Sequence, residues 1–396
     1  MAKQNRIGAI DFARGLVLVA IMIDHVPGNL LETVTPRNFA LSDSAEAFVF
    51  LSGVSVGVAY YRKALTSGLS SVARGCLSRA WRIYGAHVAL TFAAVLIFGV
   101  CYALSGFPSL IEDHGRTVVF HEPVQGAIGI ALLTHQLGYF NILPLYVVLM
   151  AFSPVILALA RREPRLALLA AVGGYLATRL LNLHLPNWPE PGAWFLNPFA
   201  WQLIFTLGVV AAIRWRDEPP PRSRVIWAFC VILAVAGAVV VTDAAGLAPG
   251  LHDKVFADLD VGKQNLGAAR LVNFLALAYL VATSPFLVPL AKTAVGEALQ
   301  GLGRNSLTIF AATSVLSAVG QAGADAWGPN LAHDMANAVE FVYTLACIGG
   351  LFALARYLEW RKAPGDEDSK RASGGRWAGG LWERASWRSL RWGSAS

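Results

Sequence analysis

About ten apolar runs of near 20 residues each, separated by short polar connections, dominate the chain, and each is long enough to cross a hydrocarbon core roughly 30 Å thick as a helix. Charged residues make up 14% of the 396 positions, against roughly 25% in soluble domains. Soluble architectures are thereby excluded, and the expected fold is all-α: a polytopic membrane bundle of about ten transmembrane helices. The runs lie near 7–26, 44–61, 83–105, 141–160, 166–181, 198–213, 225–243, 269–290, 304–322 and 336–357. Because the first begins near residue 7, with no small-residue cleavage site before Pro27, it reads as a retained span and not a leader.

Basic residues orient the bundle. One set of connections carries Arg62, Lys63, Arg74, Arg79 and Arg82, then Arg161, Arg162 and Arg165, then Arg214, Arg216, Arg222 and Arg224. The alternate set is dominated by Glu32, Asp43, Glu112, Asp113, Glu122, Asp253, Asp258 and Asp260. Both termini are therefore expected in the cytoplasm, with residues 1–360 as the membrane domain and 361–396 as a basic, disordered tail. An even span count follows. The apolar stretch Pro123 to Gly138 is then a short re-entrant or interfacial helix on the outer side, since counting it as a span would put Arg161 to Arg165 outside. The net charge of +7 reflects this topology and lipid headgroups; no nucleic-acid motif accompanies it. Cys76, Cys101, Cys230 and Cys347 stand far apart without ligand spacing, so no disulfide framework and no metal site is expected.

Ionisable residues inside a span are costly and mark function by default. Asp11, Arg14 and His25 fall within an arc of about 60° on one helix, and Asp24 lies on a neighbouring face. Two readings fit: a structural Asp11–Arg14 ion pair with an interfacial histidine, or a passage whose outer end holds His25, the side chain best suited to proton transfer near neutral pH. In the second span Glu46 shares a stripe with Gly53 and Gly57. That lane suits either a close helix contact or a thin acyl chain. Arg79 and Arg82, three apart and followed by Tyr84, either set topology or present two guanidinium forks to a phosphorylated ligand.

Two outer loops complete the candidates. Trp194, Asn197, Trp201 and Gln202 set aromatic rings beside amides, as a sugar requires, although an interfacial aromatic belt accounts for the tryptophans equally. Lys263 and Arg270, with Asn265 between them, are among the few outer cations, as ligands of an anionic or polyhydroxy substrate would be. No GxSxG, Walker, GxGxxG or HExxH motif is present.

The segments Arg6–Gly15, Asp24–Asn29, Arg37–Phe39 and Ser42–Gly53 resemble the OpgC family, named for succinyl transfer to osmoregulated periplasmic glucans. The likeness continues through Ile142–Tyr146, Asn197–Gln202, Lys263–Arg270 and Gly303–Leu307, covers most of residues 5–320 and leaves out the tail. More distantly, Asp11–Gly15 with His25, and Arg79-Ala80-Trp81-Arg82, are similar to the wider superfamily of transmembrane acyltransferases. The resemblance implies a catalytic His25 and an acyl-donor role for Arg79 and Arg82. It implies an acyl-CoA-dependent O-acyltransferase of the bacterial inner membrane, succinyl-CoA favoured as donor and a periplasmic saccharide as acceptor.

In that scheme Asp24 or Glu46 orients His25, Asn29 joins the acceptor side, and Arg14, Tyr84, Gly53 and Gly57 line the donor path. His25 acts as a base or carries the acyl group itself. Two other readings remain: a secondary transporter of a modified saccharide with His25, Asp24 and Glu46 as a proton relay, and a non-catalytic scaffold. The absence of an evident internal repeat counts against the transporter.

Overall fold

A computed structural model describes residues 2–26, 28–215, 220–242 and 250–362. Apart from an isolated bridge between Pro186 and Ala193, all regular structure among them is helical. In chain order the α-helices are α1 (Ala2–Asp24), α2 (Ser44–Thr66), α3 (Gly68–Ser105), α4 (Ser109–Glu112), α5 (Arg116–His121), α6 (Pro123–Ala131), α7 (Ile142–Arg162) and α8 (Pro164–Leu181). There follow α9 (Pro198–Arg214), α10 (Arg224–Thr242), α11 (Leu251–Asp258), α12 (Ala268–Ala282), α13 (Leu287–Ala291), α14 (Ala294–Arg304), α15 (Ser306–Trp327) and α16 (His333–Arg361).

Six of them, α2, α3, α7, α10, α15 and α16, are long and apolar enough to cross a membrane, and the chain is a membrane protein. Each of the ten expected runs coincides with helix, but by length and apolarity six qualify rather than ten. The 17 residues of α9 and the 15 of α12 would reach only about 25 Å and 22 Å. The run expected at 269–290 breaks after Ala282 and resumes as α13, because Pro285 disfavours helical backbone in the residue before it. The short helix expected from Pro123 ends already at Ala131. The residues between it and α7 form an irregular loop in which Leu133 and Tyr139 take positive φ.

Local chemistry sets the ends of the helices that carry the site. Asp43 caps α2, its carboxylate accepting from Ala45 N–H at 2.8 Å while Glu46 reaches back to the Asp43 N–H at 2.8 Å, a capping box. Asn197 accepts from Phe199 N–H at the start of α9, with Pro198 in the first turn. Thr293 caps α14, a helix unforeseen among the spans.

Glycines let two helix pairs approach to backbone contact. A Cβ on Gly53 of α2 would lie 2.0 Å from the Phe205 carbonyl of α9, and one on Gly208 would lie 2.1 Å from the Phe50 carbonyl. Gly15 of α1 and Gly303 of α14 interlock in the same way, against the Leu299 and Asp11 carbonyls at 2.0 Å and 1.9 Å. This is the small-residue contact of membrane helices. By contrast α10 and α16 bury 11% and 22% of their most apolar windows, the composition of lipid-facing helices.

The chain divides into two compact units, 1–355 and 356–396. In the second, the Tyr357 and Trp360 rings lie 6.0 Å apart and the Arg361 guanidinium stands 5.9 Å from the Tyr357 ring centroid. The tail expected at 361–396 falls, from residue 363 onward, outside the described residues.

Candidate active site

The polar residues of α1 sit at two levels. Near its start Asp11 pairs with Arg14 at 3.2 Å, and the second Arg14 nitrogen donates to Ser306 Oγ of α15 at 2.8 Å. Arg14 and Ser306, with Arg79 of α3 and Tyr146 of α7, line a small cavity of about 30 Å³ whose other walls include Phe48 and Phe310. The Arg79 guanidinium lies 5.8 Å from the Tyr146 ring centroid. Two guanidiniums thus line this cavity, and no carboxylate does.

Eleven residues further on, about 16 Å along the helix axis, is His25. The residue is half-buried, its ring Nδ1 buried and without a hydrogen-bond partner. Gln321 of α15 donates to the His25 carbonyl at 2.6 Å, which fixes the backbone there. The ring meets Tyr139 edge-on at 5.2 Å between centroids, and Tyr139 meets His114 likewise at 5.3 Å. The charges acting on His25 are Lys263, Asp43 and Arg37.

Beside it stands a balanced ionic cluster. Asp43 accepts from Lys263 at 2.5 Å and from Arg270 at 2.7 Å, and Arg270 also pairs with the fully buried Glu46. Burial opposes a charge on Asp43, but Lys263 and Arg270 outweigh it and hold its carboxyl below the ordinary carboxylate range. Lys263 also faces a second cavity, of about 490 Å³, with Gln136, Asn141, Asn187, Gln264 and Phe195.

Several expected site residues take other places. Asp24 accepts from Ser44 Oγ at 3.1 Å, its second oxygen buried without a partner, and Glu46 serves Arg270 and the α2 cap. Neither carboxylate hydrogen-bonds His25, whose buried nitrogen has no partner. Gly53 and Gly57 do not leave a lane for a chain, because α9 fills it: a Gly57 Cβ would meet the Ala212 Cβ at 2.7 Å.

Arg82 is exposed and its Nε reaches the Ser78 carbonyl at 3.4 Å, so it does not share the cavity lined by Arg79. Tyr84 donates to the Ala131 carbonyl at 2.9 Å and stacks on Trp81. Asn29 ties off the end of α1, donating to the Ile23 and Val26 carbonyls.

The aromatic and amide loop turns its polar atoms inward. Asn197 donates to the Leu183 carbonyl and to Asn265 Oδ1 at 2.7 and 2.8 Å. The fully buried Trp201 donates to the Lys263 carbonyl at 3.0 Å, and Gln202 to the Ala171 carbonyl at 2.7 Å. Asn197 and Trp201 fasten the Lys263 loop to α9, and Gln202 ties α9 to α8. Trp194 is buried as well, its carbonyl accepting from Gln264.

Sequence reading missed Gln136, Asn141, Asn187, Tyr139, Tyr146 and Ser306 as site residues. The signal available was a polar break, Thr134 to Gln136 and Asn141, directly after an apolar stretch. Among the described residues no group of three His, Cys, Asp or Glu stands close enough to hold a metal ion.

The membrane bundle thus holds one cavity lined by Arg14 and Arg79 and a second lined by carboxamides and Lys263. A family model described as OpgC protein matches residues 6–363, and the chain belongs to that family. The match runs past the likeness read from the sequence, through the whole of α16. No curated protein matches the chain. Family membership points to a membrane acyltransferase-like role.

Proposed function

We propose that the chain is an O-acyltransferase of the bacterial inner membrane, with ten crossings and both termini cytoplasmic, that moves an acyl group, succinyl by preference, from acyl-CoA to a hydroxyl of a periplasmic glucan or other envelope saccharide. The observation that carries this reading is the pairing of Arg14 and Arg79 in one cavity with His25 about 16 Å away along α1, next to a second cavity of different chemistry.

Guanidiniums suit the phosphates of CoA. The donor enters from the cytoplasmic side, and its chain extends past Phe48 toward His25. There the imidazole takes the proton of an acceptor hydroxyl as the oxygen attacks the thioester carbonyl. The new C–O bond forms, the C–S bond breaks, and the imidazolium returns the proton to the departing thiolate. No net proton is consumed. An acyl-imidazole on His25, later attacked by the hydroxyl, balances equally. The Asp43–Lys263 and Glu46–Arg270 pairs hold the loop that bears Lys263 against α2, beside His25.

Purified chain in detergent, given labelled succinyl-CoA and a glucose oligosaccharide, is expected to transfer label with no gradient present. His25→Ala is expected to lose about 10²–10⁴-fold in rate while keeping its thermal unfolding profile. Transfer by that variant at the wild-type rate would refute the role of His25, and absence of transfer by the wild type with any acyl-CoA would refute the enzyme.

A further inference from the structure

The second cavity has a lining unlike the first. Four carboxamides, Gln136, Asn141, Asn187 and Gln264, converge on it from three separate segments, with Phe195 as its aromatic wall. Each carboxamide both donates and accepts, as a hydroxyl does. Their bonding within the protein is incomplete. Gln136 donates to the Leu133 carbonyl at 3.2 Å, but its Oε1 is buried without a partner. Asn141 stands at the cap position of α7 yet makes no cap hydrogen bond with its side chain. Buried acceptors of this kind call for a donor.

The single cation of the lining, Lys263, already sits on Asp43 at 2.5 Å, and no carboxylate lines the cavity. An anion entering would have to draw Lys263 away from Asp43, whereas a neutral hydroxyl needs only the carboxamides. The loop from Gln136 to Asn141 also carries Tyr139 against His25, so the cavity wall and the histidine are one segment apart.

We infer that this cavity recognises an uncharged, hydroxyl-rich ligand through Gln136, Asn141, Asn187 and Gln264, and that the Lys263–Asp43 pair sets its preference against anionic ligands. That the ligand is the acyl acceptor rests on the proposed transfer; the binding and its charge preference do not. Acylation with a dicarboxylic group would turn a favoured ligand into a disfavoured one, which suits product release.

The test is binding to the purified full chain without any acyl donor, using a neutral glucose trisaccharide and the same trisaccharide oxidised at its end to a carboxylate. The wild type is expected to bind the neutral probe about tenfold more tightly, and Gln136→Ala with Asn141→Ala to weaken it about tenfold, the scale of one or two hydrogen bonds. Asp43→Asn keeps an N-cap acceptor for α2 but frees Lys263, so the oxidised probe should gain at least severalfold on the neutral one. Lys263→Met should show no such gain. If Asp43→Asn fails to fold, judged by its melting profile, the wild-type ratio and Gln264→Ala decide. No measurable binding of the neutral probe, equal or tighter binding of the oxidised probe to the wild type, or an Asp43→Asn protein that folds with an unchanged ratio would each overturn the inference. Loss of acyl transfer with binding intact would refute the enzyme reading alone.

Discussion

The two cavities differ in how their charges are arranged. Around the Lys263 cavity two carboxylates, Asp43 and Glu46, meet two cations, Lys263 and Arg270, and the cluster closes on itself. The other cavity is lined by Arg14 and Arg79 with no carboxylate in its wall, and Asp11, which pairs with Arg14, does not line it. A self-neutralised cluster fixes backbone, and the rest of that cavity's polar wall is carboxamide. Guanidiniums facing a cavity invite an anion. The difference teaches that ionic residues on one membrane protein divide into those that neutralise one another and those that face a cavity, and that the direction in which the charge points separates them.

The sharpest way to break this contrast is to remove Glu46. Glu46→Ala leaves Arg270 buried with half its partners, and is expected to cost about 3–5 kcal/mol of stability, read as a lower melting temperature in detergent. An unchanged melting temperature would mean that the cluster does not hold α2 to the Lys263 loop. On the other side, Arg79→Ala should weaken binding of a CoA thioester about 10–100-fold, the loss of a charge-assisted contact, with neutral trisaccharide binding unmoved. Equal loss of both ligands would erase the distinction between the cavities.

Smaller effects sharpen the boundary between scaffold and site. Gly208→Ala inserts a methyl 2.1 Å from the Phe50 carbonyl and should lower stability by about 1–3 kcal/mol through overpacking, without altering affinity for a CoA thioester. Tyr84→Phe removes one hydrogen bond to the Ala131 carbonyl and should cost about 1 kcal/mol or less. Weakened CoA affinity in that variant would return Tyr84 to the donor path from which its geometry removes it.

How much of this was legible follows from what each signal encodes. Helix existence was plain, because lipid demands apolar runs of fixed length; α14 was not, because Gly296, Gly301 and Gly303 interrupt any apolar run, Gly303 lying against the Asp11 carbonyl of α1. The arc of Asp11, Arg14 and His25 was readable from helical periodicity, and Arg14 does face a cavity while His25 meets Tyr139. Arg79 and Arg82 looked equivalent by spacing, yet the 60° between positions three apart puts one in a cavity and the other on the surface. Asn197, Trp201 and Gln202 have the composition of a sugar site, but composition does not say whether a carboxamide turns toward solvent or toward its own loop. The carboxamides that do face a cavity come from segments far apart in sequence, which only the packed bundle brings together.

The central claim is that donor and acceptor reach His25 from opposite faces of one bundle. Its most direct test is transfer across a sealed vesicle containing the chain in one orientation, with labelled acyl-CoA on one face and the glucose trisaccharide on the other. Label should reach the saccharide when CoA is on the Arg79 face and the saccharide on the Lys263 face, and fail to do so when the two ligands share either face. Transfer with both ligands on one face and none across the membrane would contradict the account.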